Sequence, residues 1–302
     1  MTRVLFVAGS GRSGSTLVTN VLGQAEGVLA AGELRYLWQR GAIDDRLCGC
    51  GQSFAACPVW TRVMKEVDAD PAAVSGFLRA RLRMRRLPAL LLRRRVDAHP
   101  GIAALYAALG GDGLVVDSSK LPPYGLLVDG LPGVETRVLH LVRDPRATAF
   151  SWRRRKGLDG PGDKRLMSRP PLAKAALLWL VWNATAAFLW RRSGRYLRVR
   201  YEDFVADPAA VTARIASFAG VGGGVPFDGS TVHLAPTHAV AGNPSRHRTG
   251  DVTVVADDEW VTGLSRPAYA LVTAITAPLL WRWRYPLRRA AASARSGRAE
   301  GG

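Results

Sequence analysis

The stretch Val4-Leu5-Phe6-Val7-Ala8-Gly9-Ser10-Gly11-Arg12-Ser13-Gly14-Ser15-Thr16-Leu17 constrains the fold more than any other part of the chain. Its apolar run reads as a buried strand, its Gly/Ser segment as a loop, and Ser15-Thr16 as the opening of a helix. Glycines in such a loop let backbone N–H groups turn toward an anion at a helix N-terminus, which is the make-up of a phosphate cradle. The frame Gly9-x4-Gly14 matches the opening of a Walker loop, but Ser15 stands where that loop carries its lysine. A nucleoside triphosphatase without that lysine lacks the cation that reaches the β- and γ-phosphates. Here the cation lies two residues before Gly14, at Arg12. The loop is suited to a phosphate and poorly suited to ATP hydrolysis.

A second element has the same strand–turn–helix logic. Val138 to Val142 reads as a buried strand, and Pro145 sits where the first turn of a helix tolerates proline. Arg143 leaves the strand end, and Ser151 follows eight residues later on the helix. A guanidinium fork and a hydroxyl converging there suit one phosphate group. A capped helix with a solvated arginine fits the same residues.

The rest of the chain alternates in the same way. Val4–Ala8, Leu114–Asp117, Val138–Val142 and Leu197–Tyr201 read as strands, with helical patterns at Thr16–Leu22, Pro145–Arg155 and Pro208–Ala219. This predicts an α/β protein with a P-loop-like three-layer fold, a central, mostly parallel sheet and helical insertions around 36–105 and 155–190. Residues 1–290 are expected to form one domain and 291–302 a flexible tail. The apolar run Ala175 to Trp190 contains Asn183 and Thr185, is short for a membrane span, and reads as a buried helix. No secretory leader is visible, and three cysteines give no disulfide framework, so the expected setting is cytoplasmic, with room for membrane association.

Together the two phosphate-type elements resemble those of sulfotransferases that use 3′-phosphoadenosine 5′-phosphosulfate (PAPS). Arg12-Ser13-Gly14-Ser15-Thr16 is similar to that family's 5′-phosphosulfate loop, [KR]-[ST]-G-[ST]-[ST]. Arg143-Asp144-Pro145-Arg146-x4-Ser151 is similar to its 3′-phosphate element, R-D-P-R-x4-S. The resemblance implies a donor site made by Gly11, Arg12, Ser13, Gly14, Ser15, Thr16, Arg143 and Ser151, with PAPS as donor and 3′,5′-bisphosphoadenosine (PAP) as product. It also implies that Tyr201, in the family-like Tyr201-Glu202-Asp203, contacts the nucleotide. Arg246 belongs to a late loop, His238 to Gly250, similar to the one that closes over the nucleotide in bacterial relatives. Such chemistry calls for no metal.

The catalytic expectations come from the same source. Glu33 lies 21 residues after Arg12, the span of one helix plus the return to a neighbouring strand end. In the tyrosylprotein branch a loop arginine and a Gly-Glu segment stand at this spacing, and the glutamate is the general base. Lys120, after the strand ending in Asp117-Ser118-Ser119, would join Arg12 in a two-cation clamp on the transferring sulfonate. Taken alone, Glu33 is readable as a surface or capping residue, Lys120 as an exposed lysine and Tyr201 as a core aromatic. Arginine at position 12 departs from the cytosolic small-molecule branch, so that branch's histidine base is not carried over. The run Trp152-Arg153-Arg154-Arg155-Lys156 has no counterpart from which to take a role.

Charge and cysteines complete the reading. Of 42 basic residues 37 are arginine, and the net charge of +18 is concentrated at Arg79–Arg95 and between Arg282 and Arg298. No zinc finger, helix-turn-helix or stacking motif accompanies these arginines, which disfavours nucleic acid and leaves a solvated face or peripheral contact with anionic lipid. Cys48-x-Cys50-x6-Cys57 offers three thiols, with His99 as a fourth zinc ligand. The usual zinc spacing is C-x2-C or longer, so a disulfide from Cys48 or Cys50 to Cys57, or three free thiols, is expected over a metal site. The acceptor is a small-molecule, glycolipid or peptide hydroxyl, with Trp179, Trp182 and Trp190 as candidate linings or core. Rival functions are a P-loop kinase or NTPase, and a non-catalytic basic module that binds membranes or nucleic acid.

Overall fold

Along β1 (Thr2–Gly9), alternate side chains leave for opposite faces, and both faces are apolar. Val4, Phe6 and Ala8 join one core cluster, and Leu5 and Val7 join another. A strand buried on both sides belongs in the middle of a covered parallel sheet, and that is where it lies. The computed structural model describes residues 1–93, 96–111, 113–154, 157 and 169–289. The strands β2 (Val28–Gly32), β3 (Leu114–Lys120), β4 (Val134–Val142) and β5 (Tyr196–Arg200) complete a five-stranded sheet of order β2-β3-β1-β4-β5. Every neighbouring pair is parallel.

Helices cover both faces. Pro100–Ala108, Pro122–Asp129 and Leu172–Trp190 pack on the side of Phe6, through Ile102, Tyr106, Tyr124, Leu127, Ala186 and Trp190. Ser15–Leu22, Tyr201–Ala206 and Pro208–Ala219 pack on the side of Leu5, through Val18, Val21, Phe204 and Ile215. Burying a side chain such as Leu5, Phe6 or Val7 contributes roughly 1.5–3 kcal/mol each. Three layers with a parallel sheet are thus the observed architecture. The segment 36–105 is a chain of short helices, including a π-helix at Leu37–Ile43. A small antiparallel sheet, β6 (Phe227–Asp228), β7 (Thr231–Leu234) and β8 (Gly250–Thr253), lies beyond the last parallel strand in sequence.

Two expectations are corrected. The helix Leu172–Trp190 is not wholly buried: Leu177 and Phe188 are 51% and 52% exposed, while Ala176, Trp179, Asn183 and Ala186 face the protein. By length and composition it is apolar enough to cross a membrane. Its polar Asn183 is spent inside, accepting from the His140 ring at 2.8 Å and donating to the Trp179 carbonyl. Tyr201 opens a helix instead of ending a strand. Arg79, Arg83, Arg85 and Arg86 are exposed on and around short helical turns. Arg94, Arg95, Arg155, Lys156, residues 158–168 and the tail at 291–302 lie outside the described residues.

The turn after β4 is locked from within. Arg146 is fully buried and forks onto Asp144, with contacts of 2.5 and 2.8 Å, while reaching Tyr269 Oη at 2.6 Å and the Pro286 carbonyl at 2.8 Å. Asp144 also caps the helix Pro145–Arg153, accepting from Arg146 N. Removing the guanidinium leaves a buried carboxylate without its cation, which costs about 3–5 kcal/mol. Arg146→Ala is therefore expected to lower stability by that amount in urea unfolding. A loss under about 1 kcal/mol, the range of an exposed pair, would contradict this account of the turn.

Candidate active site

Parallel sheets gather their loops at the strand C-termini, and the strand order reverses about β1, where a crevice opens between diverging connections. All five parallel strands deliver a sequence-predicted residue to that edge. The loop Gly9–Gly14 follows β1, Glu33 follows β2, Lys120 ends β3, Arg143 follows β4 and Tyr201 follows β5. They line one cavity of about 600 Å³. Among the described residues its wall carries six basic side chains, Arg12, Arg35, Arg40, Lys120, Arg143 and Arg248, against two carboxylates, Glu33 and Asp257. This is an anion site by charge.

The loop is shaped by backbone conformations that few residues adopt. Gly14 has φ +87°, and a Cβ there would lie 2.2 Å from the Tyr201 ring, so only glycine lets the loop and the ring meet. Arg12 and Lys120 hold φ of 65° and 67°, two of four non-glycine residues with positive φ among those described. Each costs of order 1–3 kcal/mol, and such strain concentrates at functional sites. Gly11 lines the cavity from the loop, and Ser15 and Thr16 from the first turn of the helix Ser15–Leu22. Ser13 does not line it: it is buried, and its Oγ has no hydrogen-bond partner.

Glu33, Lys120 and Arg12 form one electrostatic unit. Lys120 Nζ donates to Glu33 Oε1 at 2.7 Å and to the Ser118 carbonyl at 2.9 Å. Arg35 Nη2 lies 3.9 Å from Glu33 Oε2. Burial works to raise the Glu33 carboxyl, but Lys120, Arg35 and Arg40 outweigh it and hold the group below its ordinary range. Burial lowers Lys120 and Arg12, each against the attraction of Glu33. Behind them sits Asp117, fully buried, which accepts from Tyr106 Oη at 2.6 Å, Ser119 Oγ at 2.5 Å and Ser119 N at 2.9 Å. Ser119 Oγ in turn accepts from Arg35 N at 3.0 Å, so the ends of β2 and β3 are fixed to each other. Asp117 is thus the buried hub that positions Glu33 and Lys120.

The far end of the cavity is built on Arg143. Its guanidinium packs 4.8 Å from the Tyr201 ring centre and lies 3.2 Å from Asp257 Oδ2. Arg154 holds the same carboxylate at 2.7 and 2.9 Å. Ser151 faces this end from the helix Pro145–Arg153. Trp152 lies beside it, 4.9 Å from the Arg12 guanidinium measured to the ring centre. Two guanidiniums converging on one carboxylate is a geometry suited to a phosphate dianion. The basic run after Trp152, without an assigned role in the sequence, thus supplies Arg154.

One expectation about the late loop changes. Arg246 does not face the cavity; it is buried and donates to the Leu47 carbonyl at 3.2 Å and the Gly242 carbonyl at 3.5 Å. The short 3₁₀ turn Pro244–His247 directs it inward, and Arg248, with Asn243 and Ser245, lines the cavity instead. Asn243 N donates to Thr16 Oγ1 at 3.4 Å, tying this loop to the phosphate-type loop. His238 lies outside the cavity lining, and among the described residues no histidine lines it. Of the three tryptophans, Trp182 lines the cavity; Trp179 donates to the Arg143 carbonyl at 2.9 Å, and Trp190 packs on Phe6. Asp257, Arg35, Arg40 and Tyr36, which also line the cavity, carried no sequence signal of their own.

The cysteines form a separate cluster. Cys48, Cys50 and Cys57 are free thiols. His99 is not near them as a fourth ligand: its Nδ1 caps the helix Pro100–Ala108 by accepting from Gly101 N at 3.1 Å. His238 takes that place, with Nδ1 3.3 Å from Cys57 Sγ.

A family model described as sulfotransferase family matches residues 124–222, the part that carries Arg143, Ser151 and Tyr201. Among solved structures, the chain is similar to the sulfotransferase domain from the Synechococcus PCC 7002 olefin synthase, with a TM-score of 0.56 and 23% identity over 95% of this chain and 96% of that one. It is also similar to the sulfotransferase domain from the curacin biosynthetic pathway, with a TM-score of 0.50 and 16% identity over 92% of this chain and 98% of that one. No curated protein matches the chain. The fold is that of sulfotransferase domains.

Proposed function

We propose that this protein is a sulfotransferase that moves the sulfonate of PAPS to a hydroxyl acceptor, with Glu33 as general base in an arrangement like that of the tyrosylprotein branch. The observation that carries this reading is that Arg12, Glu33, Lys120, Arg143, Ser151 and Tyr201 all line one cavity. Bound PAPS supplies the sulfonate and leaves as PAP. The strained, cationic loop, with Gly11, Arg12, Gly14, Ser15 and Thr16 on the cavity wall, fits a phosphate. Gly11, Arg12, Gly14, Ser15 and Thr16 hold the 5′ side, Arg143 and Ser151 the 3′-phosphate, and Tyr201 packs against both Gly14 and Arg143. Arg246 serves this site by anchoring the loop that carries Arg248.

Glu33 is ionised and hydrogen-bonded to Lys120, so its carboxylate is ready to take the acceptor's proton. When Glu33 takes that proton, Lys120 loses its anionic partner, and its ammonium becomes available to charge developing on the leaving oxygen. Leu82, Leu121, Leu178 and Trp182 give the cavity an apolar wall, which suits an acceptor hydroxyl carried on an apolar body. No step uses a metal ion.

The pH profile separates this base from a histidine. Because Glu33 is held below the ordinary carboxylate range, kcat/KM, followed as PAP released from PAPS in the presence of a hydroxyl acceptor, is expected to stay flat as pH falls from 8 to about 5. An acid limb near 6.5, the ordinary histidine value, would contradict Glu33 as the base.

A further inference from the structure

We propose that Cys48, Cys50, Cys57 and His238 bind one zinc ion in a closed, structural site that pins the 48–57 turn to the segment beside Glu33. Their ligand atoms, three Sγ and one imidazole nitrogen, all lie within 4.8 Å of one another. Tetrahedral zinc, with Zn–S near 2.3 Å and Zn–N near 2.0–2.1 Å, places its ligand atoms about 3.5–3.8 Å apart. The set therefore contracts slightly around an ion without moving the chain far. Three sulfurs and one imidazole form a soft, four-ligand set that selects zinc over hard cations. Cys48 and Cys57 are fully buried, Cys50 and His238 half-buried, as in an enclosed site.

The local sequence explains how residues 181 positions apart meet. A Cβ on Gly49 would lie 2.6 Å from the Thr237 carbonyl, so glycine is what lets the Cys48–Cys50 turn press against the strip that carries His238. Gly49 N then donates to the Ala239 carbonyl at 2.9 Å, and Trp60 Nε1 donates to the His238 carbonyl at 2.9 Å. The same strip continues as an extra edge on β2: Val240 N donates to the Ala31 carbonyl, and Glu33 N donates to the Ala241 carbonyl. None of the four ligands lines the 600 Å³ cavity. The ion holds the backbone behind Glu33 and does not touch substrate, and the proposal is independent of which donor the cavity binds. Binding exchanges the thiol protons for the metal.

The test is made on the full chain purified from zinc-supplemented medium. One equivalent of zinc by elemental analysis, released as a mercurial titrates the thiols, is expected. Cobalt substitution should give the ligand-field bands of tetrahedral cobalt and a thiolate-to-cobalt charge-transfer band. His238→Cys, which keeps four ligands, should shift those bands, and His99→Ala should leave them unchanged. Chelation should lower the melting temperature. A chain that takes up neither zinc nor cobalt while all three thiols react at once with a thiol reagent would overturn the proposal. So would a disulfide among the three cysteines found by mass spectrometry. Unshifted cobalt bands in His238→Cys would remove His238 from the site.

Discussion

Glu33→Gln is expected to slow turnover by roughly 10²–10⁴ while leaving affinity for PAP nearly unchanged, as loss of a general base does. The reason lies in the pair it forms. The amide oxygen of glutamine can still accept from Lys120 Nζ, which now sits 2.7 Å from Glu33 Oε1, so the ends of β2 and β3 keep their geometry. What disappears is the charge that accepts a proton. Initial rates of PAP release, set beside calorimetric PAP affinity, separate the two effects. Turnover equal to that of the parent would remove Glu33 from the mechanism. A parallel collapse of PAP binding would assign it to structure.

Arg143→Ala is the second large effect. Arg143 is buried, lines the cavity and shares the Asp257 carboxylate with Arg154. Truncating one partner of a buried charge pair costs roughly 2–5 kcal/mol, which is about 30-fold or more in the dissociation constant. PAP should lose this affinity, whereas adenosine 5′-monophosphate, which has no 3′-phosphate, should lose little. Asp257 keeps Arg154 as its partner, so the fold should survive the substitution. Equal losses for both nucleotides would mean that Arg143 does not meet the 3′-phosphate.

The strand-end logic explains why much of this was legible in the sequence. β1, β3 and β4 are apolar runs followed by glycine, proline or charge, and helices such as Pro208–Ala219 begin on proline and end on glycine. β2 was not read as a strand. Val28–Gly32 is five residues long, rich in alanine and at the sheet edge, so neither alternation nor β-branching marks it. The short strands β6 to β8 are similarly inconspicuous. Glu33 and Lys120 were reachable because each follows a parallel strand, and such ends share one edge of the sheet.

Contacts between distant loops were not legible. Arg154 meets Asp257 across 103 residues, and Cys57 meets His238 across 181. No local spacing encodes either, which is why His99 stood in for His238. Arg246 and Arg248 differ only in which side of a 3₁₀ turn they leave, a distinction that composition does not carry. The Leu172–Trp190 helix is apolar nearly all round, so its sequence does not tell the face on the sheet from the face in solvent.

The central claim is that the cavity binds a nucleotide bearing a 3′-phosphate without magnesium. Calorimetric titration of the purified protein with PAP, beside adenosine 5′-monophosphate and ATP with magnesium, tests it most directly. Tight, magnesium-independent binding of PAP, with the other two far weaker, is the expected result. Preference for magnesium–ATP would contradict the account and return the Gly9–Gly14 loop to the kinase or NTPase reading.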